Sequence, residues 1–572
     1  MAEPVLLEQQ GLRIAVEGCG HGVLHEIYAS VAKACEMKGW PDVDLLIIGG
    51  DFQVRDTICL FWKKLTIQAV RNASDLKAVS MPSKYYAMHD FHEYYAGSRT
   101  APYLTIFIGG NHEASNYMWE LYYGGWAAPK IYYMGAANVV RLGPLRIAGL
   151  SGIWKGYNYK KPHYERLPYN SDDVRSIYHV RELDVRKLLQ IRTQVDVGLS
   201  HDWPRSMEWK GNYQTLFRWK PDFEQEAKDG TLGSVAAATV LEHLRPPHWF
   251  SAHMHCKFSA IWQHEGGSEP GIVPATANEP VAAIKNDGEI DLDLDDDIPT
   301  EAPKNDAEID LDMDDDEVVA ATIATPVEPE KAEKPSGQAS VPDEVRELLP
   351  AAFARSNFEK PETLPFPEDI TNKTTRFLAL DKCLPKRNFL QLLEIEPHSP
   401  SDLQRPLQLE YDAEWLAITR VFAGDLEVGD PDAQVPADKG DAYYRPLVEE
   451  QLNWVQENIV KPGRMIIPHD FAQTAPVYDP SLGIHVQTEP QEYENPHTQG
   501  FCDLLQIPNA FHASDEERAQ RMQAGPRPEE QRSGRGGRGG SRGGHRGGRG
   551  GGRGGGGRGR DHGGRGRGRG RW

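Results

Sequence analysis

The chain has 572 residues and a formal charge of −21, and its length allows more than one domain. The charge is unevenly spread, because residues 532–572 contain thirteen arginines and one aspartate and so carry +12, which leaves −33 for the rest. The six cysteines lie far apart, which argues against a disulfide scaffold and for a reducing intracellular compartment. The sequence shows no secretory signal and no run of 18 apolar residues, so we expect neither secretion nor a membrane span.

Five strand-like segments in the first half of the chain end in polar side chains. In each segment, apolar and β-branched residues lead into the polar group, as where a buried strand ends at a turn. The side chains at these ends are Cys19 and His21, Asp51, Asn111 with His112 and Glu113, His201 with Asp202, and His253 with His255. Thiol, imidazole, amide and carboxylate groups are metal ligands, and five such ends are hard to explain by core packing alone.

Residues 11–264 are predicted to form one α/β domain. Residues 21–38 have apolar side chains at helical spacing, and strand-like and helix-like segments alternate from there to Trp262. This alternation predicts a sheet layered with helices. Residues 139–153, with Gly143 and Pro144 at their centre, predict a hairpin, so we expect the sheet to be mixed.

Residues 151–181 have a different composition, in which aromatic and cationic side chains alternate without regular spacing. This pattern is typical of a loop that binds nucleic acid, since rings stack on bases and cations contact phosphates. A tyrosine-rich loop packed on its own domain is the alternative. The candidate binding residues are Ser151, Trp154, Lys155, Tyr157, Tyr159, Tyr169, Arg175, Tyr178, His179 and Arg181.

Beyond residue 264, three further regions are predicted. Residues 265–345 form an acidic, disordered linker, in which the sequence of residues 285–297 returns with small changes at 304–316. Residues 346–515 regain the composition of a folded region, either a second module or an extension of the first. Residues 516–572 are predicted to be a disordered, Arg-Gly-rich tail, because they lack the aliphatic residues that build a core.

The polar strand ends have the composition of a two-metal hydrolytic site. Such a site needs one oxygen ligand between two divalent ions about 3.5–4 Å apart, and Asp51 is the natural bridge. The other ligands would be His21, Asn111, His201, His253 and His255, a set that suits Zn, Fe or Mn. Residues two apart on a regular strand point to opposite faces, so His253 and His255 can serve one site only if the chain turns between them.

The set of motifs resembles the calcineurin-like metallophosphoesterases. The resemblance runs through His21, Gly50-Asp51, Gly110 to Glu113, His201 and His253-Met254-His255. It implies an α/β fold of the metallophosphoesterase type, a sheet sandwich flanked by helices in α-β-β-α layers. Cys19 stands where the superfamily usually has aspartate, and Ser251-Ala252 stands where glycine often precedes the last histidines.

With Cys19, the residues after Asp51, the 151–181 segment and Ser200 to Ser206, the chain resembles the RNA lariat debranching family more closely. This resemblance implies metal-dependent hydrolysis of the 2′–5′ phosphodiester at the branch of excised intron RNA. Residues 346–515 would be that family's C-terminal domain. One metal position would take Cys19, His21, Asp51 and His255, and the other Asp51, Asn111, His201 and His253. His112 would be the catalytic acid, and residues 151–181 the loop that recognises the lariat.

The resemblance also implies partners and a location. A thiolate ligand favours softer ions, so we expect Fe²⁺ and Zn²⁺, with Mn²⁺ as a substitute. The substrate implies a nuclear protein that could also shuttle to the cytoplasm, and the Arg-Gly tail is expected to add non-specific RNA binding. Protein partners are not indicated. The alternatives are a metallophosphoesterase acting on another nucleic acid or a phosphoprotein, and an RNA-binding scaffold with a degenerate site.

Overall fold

Two β-sheets lie face to face with helices over their outer faces in the computed structural model, which describes residues 11–20, 22–51, 70–264, 364–399 and 405–529. The predicted ligand His21, the whole linker at 265–345, and residues 346–363, 400–404 and 530–572 lie outside the described residues. Among the described residues, no helix combines the length and the apolar character needed to span a membrane.

The first sheet has the strand order β12-β1-β2-β3-β5-β4. Strands β1, β2, β3 and β5 run parallel, while β12 pairs antiparallel with β1 and β4 pairs antiparallel with β5. The strands are β1 (Leu12–Glu17), β2 (Leu45–Ile48), β3 (Thr105–Phe107), β4 (Gly125–Ala128), β5 (Ile131–Tyr133) and β12 (Leu390–Ile395).

The second sheet has the strand order β10-β11-β9-β8-β7-β6-β13. Its central strands β11, β9, β8 and β7 are parallel, and the predicted hairpin is the antiparallel pair β6–β7. The strands are β6 (Ala137–Leu142), β7 (Leu145–Leu150), β8 (Val197–Ser200), β9 (His248–Ser251), β10 (Phe258–Gln263), β11 (Thr374–Ala379) and β13 (Leu409–Tyr411).

The helices are α1 (Leu24–Lys38), α2 (Phe91–Tyr95), α3 (Ser115–Glu120), α4 (Gly156–Tyr159), α5 (Ser171–Ser176), α6 (Glu182–Leu188), α7 (Tyr213–Trp219), α8 (Pro221–Asp229), α9 (Val235–Leu244), α10 (Ala413–Phe422), α11 (Asp441–Val455), α12 (Pro496–Leu505) and α13 (Asp515–Ala524). Short 3₁₀ turns include Asp75–Ala78, Ser83–Tyr85 and Met207–Lys210.

The layers follow from the alternation of side chains along the strands. In β1, Ile14 and Val16 belong to the cluster between the two sheets, whereas Ala15 packs with Ile27 and Val31 of α1 on the outer side. On the far side of the second sheet, residues of α6 and α9 join the cluster that the sheets share. The predicted α-β-β-α sandwich with a mixed sheet is therefore confirmed.

The segment after the linker contributes strands to both sheets. Strand β12 extends the first sheet beside β1, and β11 lies between β9 and β10 of the second. Of the two possibilities left open for this region, the structure has an extension of the first module rather than a separate sheet.

Part of the predicted disordered tail is helical. Helix α13 begins at a capping box, in which Ser514 and Glu517 bond each other's backbone N–H groups. The Arg521 guanidinium lies 2.9 Å from the Glu492 carboxylate, and Arg527 lies 2.6 Å from Asp173. The prediction of disorder is therefore wrong for residues 516–529, and residues 530–572 lie outside the described residues.

Candidate metal centre

The polar strand ends meet where the two sheets adjoin. β1, β2 and β3 are neighbouring parallel strands in the first sheet, and β8 and β9 are neighbours in the second. The carboxyl ends of parallel strands lie at the same edge of a sheet, so the residues after these five strands converge. Two groups of potential ligand atoms result, each with all of its atoms within 4.8 Å of one another: Cys19, Asp51 and His255, and Asp51, His201 and His253.

Asp51 belongs to both groups and lies at the centre of the site. Its Oδ2 is 3.9 Å from Cys19 Sγ and 3.3 Å from His201 Nε2, while its Oδ1 accepts hydrogen bonds from the Asn111 and His112 N–H groups at 3.0 and 3.3 Å. Burial disfavours the charged carboxylate, but His201, His112 and His253 outweigh burial and hold the pKa of Asp51 well below its usual value. Asp51 is therefore an ionised group in a dry site, where it can bind cations.

The site has buried ligand atoms that protein groups leave unmatched. His201 Nδ1 donates to the Gly49 carbonyl at 2.9 Å, so Nε2 is the ring nitrogen that faces the Asp51 carboxylate. His201 Nε2 and Asn111 Oδ1 are buried and have no hydrogen-bond partner among the described residues. A lone pair that faces a carboxylate in a dry site requires a proton or a cation between them. These atoms therefore fit a divalent metal site.

The chain turns at His253 and at His255, as is required if both histidines serve one site. His253 has φ +61° and His255 has φ +50°, a region that residues other than glycine seldom occupy. Each such residue costs about 1–3 kcal/mol and persists only where its surroundings enforce it. These two turns bring both imidazoles to Asp51 although they are two residues apart.

Cys19 shares one of the two ligand groups with Asp51 and His255. Its Sγ accepts a hydrogen bond from the His253 N–H at 3.1 Å. Burial raises the pKa of the Cys19 thiol, and the charges of Asp51 and Glu17 raise it further. Because a bound cation reverses this effect and removes the thiol proton, Cys19 can serve as a thiolate ligand when metal is present.

Two glycines make this close approach possible. A Cβ on Gly110 would collide with Asp51 Oδ1 and with the His201 ring, and a Cβ on Gly50 would collide with His201 Nδ1. Gly50 also has φ +107°, which a side chain would disfavour. Both glycines are therefore required by the position of Asp51 and His201.

Comparison with known proteins identifies the family. Residues 12–257 match the calcineurin-like phosphoesterase family, and residues 372–510 match the C-terminal domain of lariat debranching enzymes. The chain is 37% identical over 497 residues to the lariat debranching enzyme of Schizosaccharomyces pombe. The aligned region covers 86% of this chain and 96% of the relative. It is 38% identical over 500 residues to the Homo sapiens enzyme, with 87% and 69% covered, and 35% identical over 503 residues to that of Arabidopsis thaliana, with 88% of each covered.

The chain belongs to the lariat debranching enzyme family. It is accordingly a hydrolase, a metal-dependent phosphodiesterase of the calcineurin-like superfamily. The identity of the metals does not follow from membership of the lariat debranching family. Neither matched region extends into the acidic repeat at 285–316 or the Arg-Gly tail.

His112 lies beside the metal ligands and contacts a residue that the sequence did not single out. The Ser80 carbonyl lies 2.9 Å from His112 Nδ1, and since a carbonyl can only accept, Nδ1 carries the hydrogen. The Asn111 amide nitrogen lies 3.0 Å from His112 Nε2. The Ser80 hydroxyl is 3.1 Å from the Tyr178 hydroxyl, so Ser80 links His112 to the 151–181 loop. No local motif marks Ser80, because its role depends on contacts with residues distant in sequence.

The 151–181 loop contains residues of two kinds in this member of the debranching family. Arg181 is 1% exposed, and its terminal nitrogens bond the Asn158 carbonyl, the Ser176 carbonyl and the Glu165 carboxylate. His179 is also buried, with its Nδ1 2.8 Å from the Asn158 amide nitrogen. Burial lowers the pKa of His179 well below its usual value, and Arg181 and Lys155 lower it further. Both residues stabilise the loop.

The remaining predicted binding residues reach the surface to different degrees. Tyr157 and Arg175 are exposed, and the half-buried residues are Ser151, Trp154, Lys155, Tyr159, Tyr169 and Tyr178. Ser151 accepts from the Gly109 N–H at 2.9 Å and donates to the Gly135 carbonyl at 2.6 Å, so it supports the turn before Asn111. Tyr178 and Ser151 line one side of a cavity of about 70 Å³, and Gly109, Gly110 and Glu113 line another.

Proposed function

We propose that this chain hydrolyses the 2′–5′ phosphodiester bond at the branch point of excised intron lariats and so permits intron RNA to be turned over. The observation that carries the proposal is the position of Asp51, which is shared by two ligand groups beside a loop of aromatic and cationic residues. Hydrolysis of a phosphodiester needs charge stabilisation at the phosphate and a proton for the leaving oxygen. Groups suited to both tasks lie next to one another here.

The proposed ligand sets divide at Asp51. Cys19, His21, Asp51 and His255 would hold one divalent cation, and Asp51, Asn111, His201 and His253 the other. When bound, such cations supply Lewis-acid stabilisation of the phosphate and lower the pKa of water. The thiolate of Cys19 and the imidazoles suit Fe²⁺ and Zn²⁺, and Mn²⁺ would substitute in vitro.

His112 is the proposed proton donor to the leaving 2′-oxygen. The Ser80 carbonyl fixes one hydrogen on Nδ1, so the proton that is exchanged must be on Nε2. In this structure Nε2 accepts from the amide nitrogen of Asn111, a proposed ligand, so a proton that replaces this hydrogen bond would lie close to a phosphate bound at the same site. The hydrogen bond that His112 Nδ1 donates to the Ser80 carbonyl sets the direction in which that proton is presented.

The exposed part of the loop is proposed to recognise the branch. A branch nucleotide carries phosphodiesters on both its 2′ and 3′ oxygens, and stacking with cationic contacts suits such a splayed single-stranded shape. Tyr157 and Arg175 are the most exposed candidates. The Arg-Gly repeats would add salt-sensitive, non-specific RNA affinity, and the substrate implies a nuclear location with possible shuttling to the cytoplasm.

The function is tested with protein purified without oxygen and analysed for metal content. We expect cleavage of a synthetic branched RNA at its 2′–5′ bond, with no cleavage of a linear 3′–5′ RNA of the same composition. Chelation should abolish turnover and lower the melting temperature, since a ligand at one hundred times its Kd stabilises a protein by about 2.7 kcal/mol. Rapid cleavage of linear RNA or phosphoserine, with branched RNA untouched, would contradict the proposal.

A further inference from the structure

A cluster of aromatic side chains lies on the surface outside the metal centre and the 151–181 loop. It is formed by the turn Met207–Lys210 and by helix α7. The ring of Trp209 lies 5.2 Å from that of Tyr213 and 5.4 Å from that of Phe217, and the last two rings are 5.9 Å apart. We call Trp209, Tyr213 and Phe217 the aromatic patch.

The aromatic patch is accessible. Trp209 is 40% exposed and Tyr213 is 37% exposed, and their ring centroids lie 5.2 Å apart. Leu216 alone fills the buried side of α7. A cluster of exposed aromatic rings indicates a binding surface, because single exposed apolar side chains are common on protein surfaces but contiguous groups of them are not.

Cationic side chains accompany the aromatic patch within residues 203–220, and the exposed acids of α8, Asp222, Glu224 and Glu226, follow them. Arg205, Lys210, Arg218 and Lys220 lie in the same stretch of chain, and Lys210 and Arg218 are exposed. The one acid between residues 203 and 220 is Glu208, which is buried and whose pKa burial raises to about 7. This stretch is therefore cationic although the whole chain carries −21.

The aromatic patch is attached to the two segments that carry the metal ligands of the second sheet. Its chain continues from His201 through Trp203, which is buried and donates to the Ala252 carbonyl at 2.9 Å. Gly211 forms a β-bridge to Ala260 of β10, the strand that begins three residues after His255. Eight residues separate His201 from Trp209, a span of at most roughly 29 Å. A single strand that leaves the metal centre can therefore reach these rings.

We propose that the aromatic patch binds single-stranded RNA that extends from the branch, with its rings stacked on bases and Lys210 and Arg218 on phosphates. This site would act in addition to the 151–181 loop and would favour substrates with long arms. The identity of the strand as a substrate arm rests on the proposed function. Stacking on exposed rings and cations beside them are the two features that sequence-independent binding of single strands requires.

Steady-state kinetics with two branched RNAs, one with minimal arms and one with long single-stranded arms, tests the proposal. Trp209→Ala should raise KM for the long-arm RNA at least about fivefold, since stacking contributes about 1–3 kcal/mol per base, and should leave KM for the minimal RNA and both kcat values unchanged. Tyr443→Ala is the matched control, because Tyr443 is 46% exposed with Lys439 near its ring, and it should change neither KM.

Direct binding separates this proposal from the proposed function. Fluorescence anisotropy of an unbranched, labelled oligonucleotide should show weaker binding by Trp209→Ala, and Arg218→Ala should reduce the slope of log affinity against log salt by about 0.7. Melting temperatures identify any variant that fails to fold, and for such a variant Tyr213→Ala is used instead. The proposal is overturned if Trp209→Ala binds the labelled oligonucleotide as tightly as the wild type does and the wild type has the same KM for the long-arm and the minimal RNA. Intact binding without cleavage of any branched RNA would instead refute the proposed function.

Discussion

In the metal centre, His201 Nε2 and Asn111 Oδ1 are buried without a hydrogen-bond partner among the described residues. In the 151–181 loop, both terminal nitrogens of the buried Arg181 donate to three groups of the loop itself, and only its Nε lacks a partner among those residues. Both regions are rich in polar side chains, and both were predicted to be functional. The difference shows that a buried polar group is available for a ligand only when the fold leaves its atoms unmatched. In the loop, exposure is the better guide to function.

The largest expected effect follows from removing the carboxylate shared by both ligand groups. Asp51→Ala should reduce kcat/KM on branched RNA by a factor on the order of a thousand, because several kcal/mol of charge stabilisation depend on that position. Metal content, measured on the same preparation, should fall as well. Asp222→Ala, at an exposed carboxylate in α8, is the control. Full activity in Asp51→Ala would separate catalysis from this centre.

The second prediction tests whether Arg181 supports the loop or binds substrate. Removing one partner of a buried ion pair costs about 3–5 kcal/mol, so Arg181→Met should lower the free energy of unfolding by that amount. Adding Glu165→Leu should restore much of the loss, since no buried charge then lacks a partner. Denaturant titration measures both. If Arg181→Met unfolds like the wild type but has a raised KM, Arg181 contacts RNA and the contrast drawn above is wrong.

A smaller effect is expected where the two regions touch. Ser80→Ala removes the hydroxyl that faces Tyr178 but keeps the carbonyl that faces His112. One neutral hydrogen bond contributes about 0.5–1.5 kcal/mol, so kcat on branched RNA should fall roughly two- to tenfold. Tyr178→Phe removes the same bond, and the double variant should therefore be no worse than either single one. Ser83→Ala, at an exposed serine nearby, should be neutral; additive losses would show that the two hydroxyls act separately.

The smallest effect is expected at the exposed end of the loop. Arg175→Ala should leave the unfolding free energy within about 0.5 kcal/mol of the wild type, because Arg175 is exposed. It should raise KM for branched RNA a few-fold and reduce the salt dependence of binding by about 0.7 in the log–log slope. A stability loss as large as that of Arg181→Met would place Arg175 among the structural residues instead.

The sequence was sufficient for the sandwich fold and for the set of strand ends, because each motif is local: a strand, a turn and a ligand within about ten residues. It could not rank the loop residues, since the composition of residues 151–181 is the same whether Arg181 faces RNA or Glu165. It also could not find Ser80, whose contacts with His112 and Tyr178 exist only after the chain has folded. The sequence did not predict the aromatic patch either, because the contacts of Trp209 with Tyr213 and Phe217 depend on how the turn at residue 209 packs on the next helix.

The pairing of β10 with β11 has a consequence for how the chain tolerates change. Gln263 and Thr374 are partners in this antiparallel pair, so the intervening linker leaves and re-enters the fold at neighbouring positions. Doubling the length of such a connection costs only about 0.6 kcal/mol in closure entropy, so changes in length confined to residues 265–363 should be nearly neutral. A polypeptide that stops at residue 264, in contrast, lacks the strand that lies between β9 and β10. The length of the chain can thus vary between residues 265 and 363, whereas residues 11–264 and 364–411 both supply strands to the same two sheets.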